Sequence, residues 1–322
     1  MKKALSIILS AGVALLMIGC DSSSIKSKTN SSKKTTTITE KAEESTKKKD
    51  AKVENKETAA EYDSKSVEYT IADEVIVSNE QCTVTLVSGK DKKSGGAEFK
   101  FLLENKTSSK TLMFSIDDVA INGWMITALF AQEVSAEKKA NETLSFNKSN
   151  FEDAGITSVD KLEFKLRIYD SNDWSAESVV DETFVVYPTG LSESQISIPD
   201  RWKGSNEKVI VDNDEVTFIV LGTYTDSIWG YSVAVYLENK TDKNLMFTWD
   251  ESSINGFMVD AYWATTVSPG NRKIDSVQFS NSKIEENGIK EVNDIEFKLR
   301  IYDSDNWSAD DVVKETFKYS VG

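Results

Sequence analysis

Paired carboxylates are the side chains of this 322-residue chain whose types and spacing could do chemistry. Asp117 and Asp118 recur as Asp250 and Glu251, and such pairs could ligate calcium or act as acid and base in glycoside hydrolysis. Residues 170–173 are also acidic, but they lack the third oxygen ligand and the glycine of a calcium-binding loop. They are more typical of a turn whose Asp and Asn side chains accept backbone N–H groups.

We therefore predict no catalytic site, no metal site and no cofactor.

Histidine is absent from the chain, and Cys20 and Cys82 are its two cysteines. These counts exclude Ser-His-Asp and Cys-His catalysis, zinc sites that contain histidine, and four-cysteine metal sites. Cys82 aligns with Val216 in the internal repeat described below. We therefore expect Cys82 to be a small buried residue with an unreactive thiol.

The net charge of −15 is unevenly distributed along the chain. Residues 1–65 carry a net charge of +4, whereas residues 66–322 carry −19. An acidic body is repelled by nucleic acid, because binding requires Lys and Arg to replace counterions. We therefore expect no nucleic-acid partner.

The amino terminus has the pattern of a secretion signal. Lys2 and Lys3 precede an apolar run over residues 4–18, and this run is shorter than the ~20 residues of a membrane-spanning helix. Residues 16–20, Leu-Met-Ile-Gly-Cys, resemble the lipobox of bacterial lipoprotein signal peptides, with Met17 at the position that usually holds Leu. The resemblance implies that residues 1–19 are removed and that Cys20 is lipidated. The alternative is an ordinary secretory signal with a chance cysteine.

Residues 20–65 form a low-complexity segment after this signal. From residue 21 onward they contain no Gly, Pro, Phe, Leu or Trp. Such a composition buries too little apolar surface to offset the entropy of ordering the chain. We predict a disordered tether with a root-mean-square span of about 35 to 40 Å. The tether would hold the folded part at the extracytoplasmic face of the cell membrane.

An internal repeat decides the domain organisation. Residues 162–187 match residues 295–320 at 17 of 26 positions, and Leu-Glu-Asn-Lys-Thr at 103–107 recurs at 237–241. We therefore predict two copies of one domain, joined by a linker. Their bounds are 66–188 for repeat 1, 189–203 for the linker and 204–322 for repeat 2.

Each copy has the patterns of antiparallel β-structure. Phe164, Leu166 and Ile168 alternate with polar or amphipathic residues, as expected of a strand with one buried face. Asn-Gly at 122–123 and at 255–256 lies between apolar runs and indicates type I′ hairpin turns. These signals predict an all-β fold of two tandem antiparallel sandwiches, with a small closed barrel as the alternative.

One short helix is expected in each copy. Ser149 and Glu152 fit a capping box at its start, and Gly155 fits its end. The second copy has the same pattern at Ser282, Glu285 and Gly288.

The strand end at residues 103–107 and the strand at 164–170, both repeated, are similar to those of immunoglobulin-like domains in surface lipoproteins of Gram-positive bacteria. That family is largely uncharacterised. The resemblance implies an immunoglobulin-like β-sandwich and a lipid-anchored location on the cell surface. It implies little about activity, because a fold does not determine function.

Aromatic residues are enriched in the second copy and are the candidate ligand-binding residues. They are Trp229, Tyr231, Trp249, Tyr262 and Trp263, which replace Gly95, Ala97, Ile116, Leu129 and Phe130. Exposed rings could stack on sugars or anchor a protein, because they bury much area at small entropic cost. The other interpretation is that these exchanges repack a core. Trp174 and Trp307 occupy equivalent positions in the two copies, and both are expected in the core.

These observations favour a non-catalytic lipoprotein whose repeats bind wall polysaccharide or an extracellular protein. The alternative is a structural spacer or assembly protein with no ligand of its own. Exposure of the second-copy tryptophans in one patch would favour binding, and their burial would favour the spacer.

Overall fold

The computed structural model describes most of the chain after residue 66. The described residues are 67, 69–173, 175–201, 203–204, 206–226 and 230–321. They belong to one compact unit, Ala59–Gly322. The predicted signal peptide, the tether, Cys20, Trp174 and Trp229 lie outside the described residues. No helix in the described part of the chain has the length and apolar character needed to cross a membrane.

Repeat 1 is a sandwich of two antiparallel sheets. One sheet has the strand order β1-β2-β3-β7, and the other has β5-β4-β8-β9, with β6 paired to β4. The strands are β1 Glu74–Ser78, β2 Cys82–Asp91, β3 Ala97–Asn105, β4 Leu112–Ile121, β5 Trp124–Met125, β6 Ala131–Val134, β7 Lys139–Ser145, β8 Leu162–Asp170 and β9 Val180–Val186. Helix α1 spans Lys148–Asp153.

Repeat 2 has the same order of elements. Strands β10-β11-β12-β16 form one sheet region and β14-β13-β17-β18 form the other, with β15 paired to β13. The strands are β10 Lys208–Asp212, β11 Val216–Asp226, β12 Gly230–Asn239, β13 Leu245–Ile254, β14 Phe257–Met258, β15 Ala264–Val267, β16 Arg272–Phe279, β17 Asp294–Asp303 and β18 Val313–Ser320. Helix α2 spans Asn281–Glu286. The all-β sandwich prediction is confirmed.

The period-2 pattern places one face of each strand in the core. In β8, Leu162, Phe164, Leu166 and Ile168 are fully buried, and the residues between them are not. The Phe164 ring meets the edge of Phe101 from the opposite sheet, with ring centroids 5.8 Å apart. Burial of these alternating side chains is the main stabilising contribution to a sandwich of this kind.

The Asn-Gly turns have the backbone angles that a type I′ turn requires. Asn122 and Gly123 have φ values of 49° and 82°, and Asn255 and Gly256 have 50° and 80°. The Asn122 side chain donates to the Ser158 carbonyl at 2.8 Å, which fixes the hairpin against a neighbouring loop. The turn prediction is confirmed in both repeats.

The helix ends are as predicted, but the helix starts are not. Gly155 and Gly288 end α1 and α2 with φ values of 65° and 66°. The N-cap residues are Asn147 and Ser280, so the predicted capping boxes at Ser149 with Glu152 and Ser282 with Glu285 are wrong by two residues. Each helix begins almost directly after strand β7 or β16, because the preceding residues are still extended.

The two repeats share a continuous nine-stranded sheet. Strand β5 of repeat 1 pairs in parallel with edge strand β16 of repeat 2. The backbone N–H of Arg272 donates to the Gly123 carbonyl at 2.9 Å. The Asn271 side chain also donates to the Glu163 carboxylate, at 3.1 Å. The repeats therefore form one continuous structure in which backbone hydrogen bonds cross the junction.

Trp124 is the centre of this junction. Its side chain is only 1% exposed, its indole N–H donates to the Pro199 carbonyl at 3.0 Å, and its ring lies 5.9 Å from that of Tyr236 in repeat 2. The Arg201 guanidinium of the linker covers the Tyr236 ring at 4.9 Å. Ile219, Leu221 and Tyr236 of repeat 2 belong to the core of repeat 1. The junction is thus part of a hydrophobic core.

We expect Trp124→Ala to lower the free energy of unfolding by ~3–5 kcal/mol, because it removes a fully buried indole. The matched control is Phe257→Ala at the corresponding position of repeat 2, where the ring is 48% exposed, and we expect a cost below about 1 kcal/mol. Urea unfolding of both variants measures the difference. Equal costs would contradict the central role of Trp124.

Candidate functional site

Trp249 is a core residue and not a ligand platform, which corrects the prediction made for it. Its side chain is buried and stacks on Phe297, with centroids 3.8 Å apart and planes within 10°. The Trp263 ring meets it edge-on at 6.4 Å. Trp249 fills the slot of Ile116, which is itself buried, so the exchange enlarges a core side chain.

Trp263 and Tyr231 also pack against the core of repeat 2. Trp263 meets the edge of Phe218 at 6.3 Å and takes the place of Phe130, which is buried in repeat 1. Burial raises the pKa of the Tyr231 phenol. Both residues are partly buried against this core, so their exchanges also fit the core-repacking interpretation.

The indole N–H groups of Trp249 and Trp263 are buried and have no acceptor in the described part of the chain. A buried donor without an acceptor is costly in a folded protein. The two donors lie in neighbouring rings of one core. The two unpaired indole N–H groups are therefore expected to lower the stability of the repeat 2 core.

Tyr262 is the one predicted residue in the described part of the chain whose ring is fully accessible, at 96% exposure. Its counterpart Leu129 is 91% exposed, so the position is a surface position in both repeats. Trp307, expected in the core, is 79% exposed because it lies in the loop between β17 and β18, where its ring leans on Tyr302 at 6.1 Å. The predicted aromatic residues therefore do not form one exposed patch within the described residues.

We expect Trp249→Ala to lower the free energy of unfolding by ~3–5 kcal/mol, because a buried stacked ring is lost. Tyr262→Ala should change it by less than about 0.5 kcal/mol. Thermal or urea unfolding compares the two. If Trp249→Ala lowered the free energy of unfolding as little as Tyr262→Ala, the assignment of Trp249 to the core would be contradicted.

The remaining sequence candidates are structural in the described residues. The Asp170 carboxylate accepts the Asn172 N–H at 3.1 Å, and the Asp173 carboxylate accepts the Ser175 N–H at 3.1 Å, which confirms the turn interpretation. Cys82 is fully buried, and desolvation raises the pKa of its thiol. No cluster of three or more potential metal ligands occurs among the described residues.

The paired carboxylates lie at a β-bulge that recurs in both repeats. Asp118 and Glu251 occupy the bulges of β4 and β13 with φ values of 48° and 42°. Glu251 forms an ion pair with Lys298 at 3.2 Å. The corresponding lysine of repeat 1, Lys165, is bonded to Asp181 at 3.0 Å. At the same bulge, the carboxylate of repeat 2 is therefore ion-paired with a lysine, whereas the lysine of repeat 1 pairs with Asp181 instead of Asp118.

Asp118 lines a cleft of about 330 Å³ at the junction of the repeats. Repeat 1 contributes Asp117, Asp118 and Thr127, and repeat 2 contributes Thr265 and Lys273. Burial, followed by the charge of Asp117, raises the pKa of Asp118. The Lys273 ammonium donates to the Thr265 hydroxyl and pairs with Asp275 at 3.1 Å, so it is already engaged. Polar and charged side chains line the cleft, and its lysine is already paired within repeat 2.

We expect Asp118→Asn to raise stability at pH 7, by less than about 1 kcal/mol because Asp118 still reaches solvent. A raised carboxyl pKa favours the protonated folded state at low pH and costs stability as pH rises through that pKa. The gain should therefore shrink towards pH 3. Thermal unfolding at both pH values measures it. Glu251→Gln is the control and should give no gain, because it breaks the ion pair with Lys298.

The clearest difference between the repeats is the exposure of one hairpin. Phe257 and Met258 are 48% and 65% exposed, whereas their counterparts Trp124 and Met125 are buried at the junction. We call Phe257 and Met258 the distal hairpin surface. Sequence reasoning missed this site, although the alignment of Ile-Asn-Gly-Trp-Met with Ile-Asn-Gly-Phe-Met was its signal.

Neither a protein-family profile nor a curated protein sequence matches the chain. A protein of unknown function from Porphyromonas gingivalis W83 is similar in structure, with 11% identity, coverage of 76% of this chain and 97% of that chain, and a TM-score of 0.19. The N-terminal periplasmic domain of ScsB from Proteus mirabilis has 7% identity, coverage of 78% and 99%, and a TM-score of 0.20. These similarities are too weak to indicate a function.

Proposed function

We propose that this chain is a non-catalytic lipoprotein, anchored through Cys20 at the extracytoplasmic face of the cell membrane, that binds an extracellular protein through the distal hairpin surface. The lipobox resemblance and the apolar signal support the anchor. The acidic net charge of residues 66–322 argues against nucleic acid as the partner.

The exposure of Phe257 and Met258 carries the proposal. In repeat 1 the corresponding hairpin docks on the sandwich of repeat 2. It buries Trp124 and Met125 there, and its Gly123 carbonyl accepts a backbone N–H from that sandwich. Repeat 2 keeps the hairpin geometry and two large apolar side chains, and leaves them in solvent. Aromatic and Met side chains are enriched where proteins bind each other.

Wall polysaccharide is the weaker candidate for the ligand. Sugar binding would need exposed ring faces, whereas Trp249 stacks on Phe297 in the core and Trp263 is partly buried against the same core. Tyr262 and Trp307 are exposed but lie on separate loops. A spacer role is favoured by one observation: the nine-stranded sheet runs through both repeats and joins them into one structure.

The test is site-specific photo-cross-linking on intact cells that produce the full chain. We expect a photoreactive residue at Phe257 to give one discrete protein adduct, because the interface would bury this position. Leu129, at 91% exposure in repeat 1, is the matched control and should give none. In the same cells the chain should incorporate a labelled fatty acid, and the Cys20→Ala chain should not.

Absence of a specific adduct at Phe257 would overturn the proposed protein interface. Co-sedimentation of the purified chain with protein-free cell walls, lost in Tyr262→Ala, would favour the polysaccharide ligand instead. A chain that incorporates no labelled fatty acid would contradict the lipid anchor.

A further inference from the structure

We propose that the partner of the distal hairpin surface is a second copy of this chain, bound through edge strand β7 of its repeat 1. The inference rests on the proposed function and names its partner. It extends to two chains the contact that already joins the repeats within one chain. Four observations carry it: the hairpin, the edge strand, the apolar side chains beside that strand, and the charges that differ between the two contacts.

The hairpin of repeat 2 has the parts that repeat 1 uses. In repeat 1, the Gly123 carbonyl accepts the N–H of Arg272, the first residue of β16. Gly256 has the same left-handed conformation as Gly123 and lies in an exposed turn. Phe257 follows it, as Trp124 follows Gly123. The hairpin can therefore present one carbonyl and one aromatic ring to an edge strand.

Strand β7 corresponds to β16 and is an edge strand of its sheet within the described residues. Lys139 begins β7 as Arg272 begins β16, and each pairs across the sheet with a Glu one strand away. The Lys139–Glu104 distance is 3.1 Å, and Arg272 lies 2.8 Å from Glu238. Exposed edge strands are templates for pairing with another chain.

The outer face beside β7 offers two apolar side chains to the ring of Phe257, whereas Thr85 and Asn141 stand where the intrachain junction has Ile219 and Ile274. Leu102 stands at the position of Tyr236, the residue that Trp124 contacts in the intrachain junction. Val87 stands at the position of Leu221. Leu102 and Val87 are both half-buried, so part of each side chain remains available to a partner.

The charges of the two surfaces are complementary. Asp260 on the hairpin side replaces Thr127, and Lys100 on the sheet side replaces Ala234. Asp260 and Lys100 are both exposed, and neither forms an ion pair within the described residues. A contact between two copies would bring this carboxylate and this ammonium to one interface, which favours that pairing and adds salt dependence.

The resulting contact is heterologous, because the hairpin of one copy meets the edge strand of the next. Such contacts leave one hairpin and one edge free at the ends of an open chain, and they close into a ring only where the rotation between copies brings these ends together. Anchoring through Cys20 would hold all copies at one surface and raise their effective concentration.

Sedimentation velocity of the compact unit Ala59–Gly322 tests the inference. We expect the average mass to rise between about 10 µM and about 1 mM, the range of weak association. Phe257→Asp combined with Met258→Asp, and separately Lys139→Pro, should each weaken association ~10-fold or more. Proline is tolerated at the first residue of an edge strand and removes the N–H that would bond Gly256. Tyr262→Ala is the control and should have no effect, because its counterpart Leu129 stays exposed beside the docked hairpin.

Mixing the variants gives the sharper result. The double hairpin variant retains its edge strand and the Lys139→Pro variant retains its hairpin, so a mixture should form 1:1 dimers and no larger species. Asp260→Lys and Lys100→Glu, each substituted at an exposed residue, should weaken self-association alone and recover it when mixed. No recovery in either mixture would overturn the head-to-tail arrangement.

The cross-linking experiment separates the two proposals. An adduct at Phe257 with twice the mass of the chain, mapped to residues 139–145 of the second copy, supports the inference. An adduct with a different protein, or a monomer at every concentration, overturns the second copy as partner and leaves the protein-binding function standing. No adduct at Phe257 overturns both.

Discussion

The packing of Trp124 against Tyr236 is the contact on which the arrangement of this protein depends. It buries an indole between two β-sandwiches and satisfies the indole N–H with the Pro199 carbonyl of the linker. The indole belongs to repeat 1, and the residues that cover it, including Tyr236, belong to repeat 2. Each repeat alone would therefore expose apolar surface at the junction. The parallel pairing of β5 with β16 follows from this contact and merges the two sheets.

Duplication followed by divergence accounts for the rest of the molecule. Both repeats keep the Asn-Gly turns, the helix-ending glycines and the bulges at Asp118 and Glu251, since each of these requires a special backbone conformation. The cores differ mainly in size, because Trp249 and Trp263 occupy the places of Ile116 and Phe130. The two hairpins also differ in exposure, because Trp124 and Met125 are buried at the junction whereas Phe257 and Met258 lie in solvent.

Much of the fold could be predicted because its signals are local. Alternation in β8 and its copy identified buried faces, and the Asn-Gly pairs identified the hairpins. The helix starts were misplaced because Ser149 and Ser282 fit the capping pattern, while strand ends at Ser145 and Phe279 set the true starts. Exposure of the aromatic residues could not be read from residue type, since an indole is suited to a core and to a binding surface alike.

The sequence by itself determined the duplication, the all-β class, the hairpin turns and the absence of histidine chemistry, because these depend on residue identity and short spacing. Only the tertiary structure decided that Trp249 is buried, that Tyr262 is exposed and that Trp124 joins the repeats. Trp124 and Phe257 occupy the same place in the same hairpin. Their environments differ because residues distant in the chain cover one and leave the other in solvent, and no local pattern records such a contact.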